Sequence, residues 1–307
     1  MIERLQNVLS HAGAASRRRA AAMIEEGRVS VNGSIVREPF FRVDTEKDSV
    51  EIDGKNLAPG KEKPRTIIMY KPVGAVSTAS DPFGGRTVCD IVRPSVKERV
   101  VPVGRLDKES EGLLLLSNDG DLVLKLTHPR FGHLKTYVAR VAGKWSPEKL
   151  SVLRSALDID GYTIRPCEVE VLHLAPDNVH TLLFRLREGR KRQIRKMCSA
   201  AHLTVLALKR VQVGNLTLGG LQPGCWRDLT EREIRDLLAA DGATTSLAEA
   251  KRLFSREKFE VYSKPGVHKR AGGSRPPSKH GAAVKKPAPV KSRASKQFDA
   301  KNNITRW

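Results

Sequence analysis

Acidic residues are in short supply in this chain: 34 Asp and Glu stand against 55 Lys and Arg, leaving a formal charge of +21 over 307 residues. A surface of that sign attracts polyanions from a distance and holds them through phosphate contacts, so nucleic acid is the first partner to consider. Long apolar runs are missing too. Leu113–Leu116 is far too short to span a bilayer, the N-terminus is amphipathic from residue 2 onward rather than leader-like, and no basic amphipathic helix with Trp or Phe on its apolar face and no lipidation motif is present. The expectation is a soluble, cytoplasmic protein with no membrane partner. Cysteine is sparse: Cys89, Cys167, Cys198 and Cys225 are scattered, with no C-x-x-C pair and no His at ligand spacing. That pattern excludes a disulfide framework and a zinc site, and predicts buried thiols in a reducing compartment. Rossmann and P-loop glycine patterns are absent as well.

What is present is enough for two domains, since 39% of the residues are hydrophobic,. The first 60 residues read as helix, helix, hairpin. Leu5, Val8, Leu9 and Ala12 recur at helical spacing, Gly13 stops that helix, and Ser16 can cap a second one that runs through Met23 and Ile24 to Gly27,. Val29 and Val31 alternate into an Asn32-Gly33 turn with Ile35 and Val36 returning, and Val50 and Ile52 precede a second such turn at Asp53-Gly54,. Arg17, Arg18 and Arg19 fall in the first turn of the second helix, where cations oppose the helix dipole unless a polyanion compensates,. With Arg28 and Asn32 beside the hairpin, they mark an RNA-binding face. The polar, turn-rich stretch from Ala58 to Pro64 reads as a linker.

From residue 64 to 243 the pattern becomes many strands with a few helices. Strands are expected at Thr66–Tyr70, Val100–Val103, Leu113–Ser117, Lys135–Val141, Val169–Leu174, Val179–Leu186 and Leu203–Leu208. Helices are expected after Thr87, after Ser146-Pro147, over Arg192–Ala201, and from the Thr230-x-x-Glu233 capping box onward,. Strands in hairpin-like succession predict an α+β domain on a largely antiparallel mixed sheet with flanking helices. Residues 264–307 hold twelve Lys or Arg against one acidic residue, a composition that cannot bury enough surface to offset chain entropy. Residues 255–307 therefore read as a disordered basic tail.

Within the second domain the charged loop Gly104–Gly112 interrupts two apolar strands. Strands fix the backbone, flanking glycines permit tight turns, and Asp107 is presented from a rigid scaffold, as an active-site carboxylate is. Tyr137 lies on the Lys135–Val141 strand, on the face opposite Thr136, Val138 and Arg140,. Arg187–Met197 opens a helix whose apolar positions Ile194, Met197, Cys198 and Ala201 follow i, i+3, i+4, i+7, with Arg192, Arg195 and Lys196 on a flanking face,. Lys71-Pro72-Val73-Gly74 ends a strand ahead of the Asp81–Arg86 loop.

These strings carry a resemblance. "LQNVLSHAGAASRRRAAAMIEEGRVSVNG" resembles an S4 RNA-binding domain. "YKPVGAVST", "PVGRLDKESEGLLLLSNDGDL", "KTYVARV", "REGRKRQIRKM" and "GCWRDLT" stand in the order and spacing of the S4-containing ribosomal RNA pseudouridine synthases of the RsuA/RluB/RluF type. The resemblance implies a small N-terminal S4 domain (1–60), a pseudouridine synthase catalytic domain (64–243), and a monomeric enzyme that isomerises a specific uridine of ribosomal RNA, free or in a pre-ribosomal particle. The reaction is redox-neutral and implies no cofactor and no metal. Large-subunit (23S) rRNA is the favoured target, with small-subunit (16S) rRNA or a non-catalytic ribosome-assembly role as alternatives. The family's essential Asp maps to Asp107, which attacks the sugar or the base, or abstracts a ribose proton. Arg195 is implied as the cation that keeps Asp107 ionised, Ile194 as a wall against the base, and Tyr137 as stacking partner and base for the C5 proton. Arg105 is implied to fill the gap left by a flipped nucleotide. Lys71, Arg190, Arg17, Arg18 and Arg28 complete the implied substrate contacts. The Cys198–His202 stretch departs from the glycine-containing turn common in the family.

Overall fold

The computed structural model describes residues 1–57 and 63–239. Most of the expected linker and all of the expected basic tail lie outside the described residues.

The N-terminal part is built from β1 (Ile2–Arg4), α1 (Leu5–His11), α2 (Arg17–Glu25), β2 (Val29–Val31), β3 (Ser34–Ile35), β4 (Arg42–Asp44), β5 (Val50–Ile52) and β6 (Lys55–Asn56). Gly13 takes φ 75° after α1, and the Ser16 hydroxyl accepts the Arg19 N–H at 3.2 Å to start α2. Both hairpin turns have two left-handed central residues, Asn32 and Gly33 (φ 52° and 80°) and Asp53 and Gly54 (φ 51° and 73°). This is the twist that antiparallel strands favour. Leu5, Leu9, Ala20, Ile24, Val29 and Val43 form a core of their own. The pairing of β1 with β4 (Ile2↔Asp44 to Arg4↔Arg42) was not expected, because three-residue strands carry too little alternation to read,.

The larger part continues with β7 (Thr66–Lys71), α3 (Val88–Val92), β8 (Val101–Val103), β9 (Glu111–Ser117), α4 (Gly120–Thr127), β10 (Lys135–Ala142), α5 (Pro147–Arg154), β11 (Asp158–Ile159), β12 (Tyr162–Thr163), β13 (Glu168–His173), β14 (Val179–Leu186), α6 (Gln193–Ala200), β15 (Thr204–Val213), β16 (Leu216–Thr217), β17 (Trp226–Asp228) and α7 (Glu231–Ala239). Its main sheet runs β13-β14-β10-β15-β9-β7-β17, with β8 on β9 and β16 on β15. Every described pair in it is antiparallel except β15 with β9. The expected α+β class and largely antiparallel mixed sheet are therefore what the chain adopts.

The four leucines of β9 show why that strand is apolar on both faces. Leu114 and Leu116 pack into one core with Ile67, Met69, Phe184 and Met197, while Leu113 and Leu115 pack into a second with Ile68, Leu122, Leu126 and Leu237. Each buried leucine contributes about 1.5–3 kcal/mol. α4, capped by the Asp119 side chain on the Asp121 and Leu122 amides, covers the second core. Its eight residues were not anticipated.

Three further details depart from expectation. Arg192, expected inside the Arg192–Ala201 helix, sits at the N-cap of α6 in a left-handed conformation (φ 54°). His202 supplies the left-handed residue (φ 52°) after α6 where a glycine would be unstrained,. Of the four cysteines, all free, Cys89 and Cys198 are buried but Cys167 and Cys225 only half so.

The seam between β15 and β9 rests on two residue pairs, Lys209↔Glu111 and Arg210↔Gly112. Gly112 has φ 108°, and a Cβ there would drive into the Arg210 carbonyl and amide. Only glycine lets the two halves of the sheet approach. Gly112→Ala is expected to cost about 2–4 kcal/mol, from strain plus separation of the strands. Urea unfolding should show the midpoint falling accordingly, and an unchanged midpoint would mean the seam tolerates a side chain.

Candidate active site

The Gly104–Ser110 loop is held from below and from one side. Lys71, at the end of β7, is fully buried, and its ammonium donates to the carbonyls of Pro72 (3.1 Å), Lys108 (3.4 Å) and Ser110 (2.6 Å). The Ser77 hydroxyl donates to Leu106 O (2.9 Å) and accepts from Leu106 N (3.1 Å), and Gly74 N donates to Lys108 O (2.8 Å). The loop is thereby bonded on both sides of Asp107. Lys71 was expected to touch substrate; sealed beneath the loop, it cannot, and its role is to hold that loop's backbone. Nothing in the string Tyr70–Thr78 separates a lysine that reaches outward from one that folds under its own strand end.

Asp107 stands half-buried at the floor of a cleft of about 690 Å³, whose walls include Arg105, Tyr137, Arg190, Arg192, Ile194 and Ser77. Four residues expected in the site (Arg105, Tyr137, Arg190 and Ile194) thus meet Asp107 around one space. Tyr137 and Ile194 are buried side chains at its inner end, and Arg105 is exposed. Arg190 lies over the Tyr162 ring, 3.4 Å from its centre, which fixes the guanidinium at the rim,.

Arg195 is placed differently from expectation. Its guanidinium donates to Val205 O (3.2 Å) and Glu109 O (3.4 Å), its Nε is buried without a partner, and no ion pair joins it to Asp107 among the described residues. Burial, followed by the neighbouring Arg192, pushes its pKa down, while the Glu109 and Asp107 carboxylates push the other way. Arg195 therefore meets the Asp107 loop through the Glu109 carbonyl and not through the Asp107 carboxylate. Arg192 contacts the same loop by pairing with the Glu109 carboxylate at 2.9 Å, and that hydrogen bond holds the Glu109 carboxyl below its usual range. Gln193, which sequence reasoning missed, is buried and braces the turn into α6. Its carbonyl accepts from Arg190 N (3.0 Å), and its amide donates to Glu188 (2.9 Å). A polar residue three positions after Arg190 was the available signal.

In the N-terminal part, Arg17 and Arg18 are exposed on α2 as expected. Arg28 is already committed: Asp53 holds its guanidinium at 2.9 and 2.6 Å, which raises its pKa. Among the described residues no three His, Cys, Asp or Glu side chains converge as a metal site would require, and no helix is long and apolar enough to cross a membrane.

The family model described as RNA pseudouridylate synthase matches residues 65–200, and that of the S4 domain matches residues 3–50. "Ribosomal large subunit pseudouridine synthase B" of Bacillus subtilis (strain 168) is 39% identical over 239 residues, covering 78% of this chain and 96% of that one. The chain belongs to the RNA pseudouridine synthase family. A protein of the same name from Vibrio vulnificus (strain CMCP6) is 36% identical, over 77% of this chain and 75% of its own. The crystal structure of a pseudouridylate synthase superposes with a TM-score of 0.54 at 25% identity, covering 76% of this chain and 99% of that one. The larger part is thus a pseudouridine synthase domain, the chain is an isomerase, and the smaller part is its S4 domain.

Burial pushes the Lys71 ammonium down to about 8, against the pull of Asp107, Glu111 and Glu109, from 10.5 for a free lysine. Between pH 8 and 10.5 the unfolded synthase holds this proton and the folded one does not, so stability rises with pH across that window. The rise due to Lys71 is at most about 3 kcal/mol. It should be missing from Lys71→Met when urea midpoints of the two proteins are compared at intervals from pH 7 to 10.5; parallel curves would show that the buried ammonium does not lose its proton in that range.

Proposed function

We propose that this synthase isomerises one uridine of large-subunit ribosomal RNA, with Asp107 as the catalytic group. The observation that carries the assignment is the convergence of Asp107, Arg105, Tyr137, Ile194 and Arg190 on a single cleft, whose floor is a loop bonded to buried Lys71 and Ser77. The printed names of the Bacillus subtilis and Vibrio vulnificus relatives support the large subunit as the source of substrate.

The reaction breaks N1–C1′, turns the uracil and forms C5–C1′; the C5 proton leaves and N1 gains one. Asp107 supplies the carboxylate, as nucleophile on sugar or base or as base toward the ribose. Ile194 and the Tyr137 ring confine the uracil while it turns, and the Tyr137 hydroxyl removes the C5 proton after rejoining. Arg105, exposed beside Asp107, occupies the vacancy left by the flipped nucleotide, because a stacked base is out of reach of any group in the cleft. Arg17 and Arg18 of the S4 domain hold phosphates away from the reacting base.

Asp107→Asn is expected to keep the melting temperature and rRNA affinity nearly unchanged while tritium release from 5-tritiated uridine falls to background. Turnover above about 1% of wild type would remove Asp107 from the chemistry, since an obligatory group is worth many kcal/mol of barrier. Tyr137→Phe should slow release of the C5 proton and allow a rejoined, still protonated adduct to accumulate; full activity would take Tyr137 out of the base role. Carbodiimide-stop sequencing of rRNA from cells with and without the gene tests the substrate: loss of a single stop in 23S rRNA is expected, and loss in 16S rRNA would move the assignment to the small subunit.

A further inference from the structure

A second, smaller cavity of about 150 Å³ adjoins the Asp107 cleft and shares Gly104, Arg105, Tyr137 and Gly189 with it. Its volume is well above the ~10–15 Å³ that admits one water. Four of its lining residues are basic, Arg105, Lys135, Arg187 and Arg210, and one is a carboxylate, Glu188. That carboxylate is engaged: its Oε1 accepts from Arg165 N (3.1 Å) and Gln193 Nε2 (2.9 Å).

The deepest cations are Arg210, 4% exposed, and half-buried Lys135. Arg210 Nε donates to Leu113 O at 2.7 Å, and Lys135 Nζ to His133 O at 3.0 Å. Among the described residues neither forms an ion pair, and Arg187 spends its contact on Gly132 O (3.3 Å). Burial and the positive charge of Arg210 both push the Lys135 ammonium down, to about 8. Two other cations of this domain drawn from solvent do carry carboxylate partners. Arg185, 7% exposed, has Glu168 and Glu170 at 2.9 and 3.1 Å, and Arg65 has Asp228 and Glu98 at 2.7 and 2.8 Å. Two like charges drawn from water without a counter-ion cost stability. Neutral side chains would fill the same space without that cost, so the arrangement fits a site whose counter-ion arrives with a ligand.

We infer that this cavity is an anion site that takes one backbone phosphodiester of the RNA, at or next to the nucleotide in the Asp107 cleft, with Lys135 and Arg210 as its floor and Arg187 at its side. The inference rests on RNA being the substrate. Its location follows from Arg105 and Tyr137, which wall both cavities: a nucleotide lying against Tyr137 in one has its backbone beside the other. Lys135 then carries out a positioning role, two residues along β10 from Tyr137, by fixing the ribose relative to Asp107.

The test uses the full chain, 23S rRNA fragments containing the mapped uridine, and the variants Lys135→Met and Lys135→Arg. Lys135→Met should lower kcat/KM about 10- to 100-fold, the worth of one charge-assisted contact, and should reduce the slope of log affinity against log salt by about 0.7–0.9, one phosphate's share. Lys135→Arg should restore most of both. Placing a neutral methylphosphonate at each phosphate flanking the uridine in turn should, at one position, penalise wild type and leave Lys135→Met unaffected, the non-additivity expected of a direct contact. Additive losses at every position, or an unchanged salt slope, would overturn the site. Stabilisation of wild type but not Lys135→Met by millimolar inorganic phosphate, together with additive RNA losses, would also overturn it, in favour of a site for free phosphate. The salt slope requires no turnover, so a wild-type protein that binds with the full slope yet modifies no uridine would count against the proposed function and leave the phosphate site standing.

Discussion

A single buried ammonium supports the chemistry of this synthase. Among the described residues Lys71 has no carboxylate partner in direct contact and is held instead by three carbonyls, two of them in the Asp107 loop. Charge–dipole bonds of this kind are stronger than neutral ones and are worth most where water is excluded. The loop cannot lift away without stranding a cation in the interior. Ser77 and Gly74 add directional bonds from the segment that follows β7, so one stretch of nine residues, Tyr70–Thr78, provides both the strand and the bolts that set the height of Asp107 in the cleft.

The hydrogen bonds also show how the synthase distributes its excess of positive charge. Arg28, Arg65, Arg185 and Arg227 are tied into pairs with carboxylates, and these serve the fold. The cations around the cleft are mostly held by carbonyls or by a ring: Lys71 and Arg195 on loop oxygens, Arg190 on Tyr162, Lys135 on His133. A carbonyl orients a cation while neutralising little of its charge, so the field at the cleft stays positive and available to an incoming phosphate.

Much of this was legible beforehand, and the exceptions have physical causes. The Asn32-Gly33 and Asp53-Gly54 turns, the Ser16 cap and the Thr230–Glu233 capping box are local: each is decided within four residues, and each stands where the pattern put it. That Asp107, Arg105, Tyr137 and Ile194 share one cleft was readable because a charged loop between apolar strands, and strings in a family's order, survive without three-dimensional information. What could not be read were quantities set by distant packing. The direction in which Lys71 points depends on Ser110, 39 residues away, and the contacts of Arg195 depend on a carbonyl of the Asp107 loop, 86 residues away. The left-handed Arg192 has no local signature, since a φ angle at a cationic residue leaves no trace in the sequence, whereas α4 carries an Asp119 cap and Leu122 and Leu126 at i, i+4, a short signal that sequence reasoning missed.

The seam at Gly112 has a consequence for the birth of the molecule. Arg210 reaches back across 97 residues to the Leu113 carbonyl, and β17, at Trp226–Asp228, closes the edge against β7, whose first residue is Thr66. Contacts of such long range form late, after the entropy of closing the intervening loops has been met. During synthesis the S4 domain, which has a core of its own, can fold as soon as it emerges, with basic α2 on display, whereas the cleft lacks its Arg190 and Ile194 wall until α6 has left the ribosome and β15 follows to close the sheet. The nascent protein is therefore an RNA binder well before it is a catalyst, and a chain cut short ahead of Val213 would retain the first property and never acquire the second.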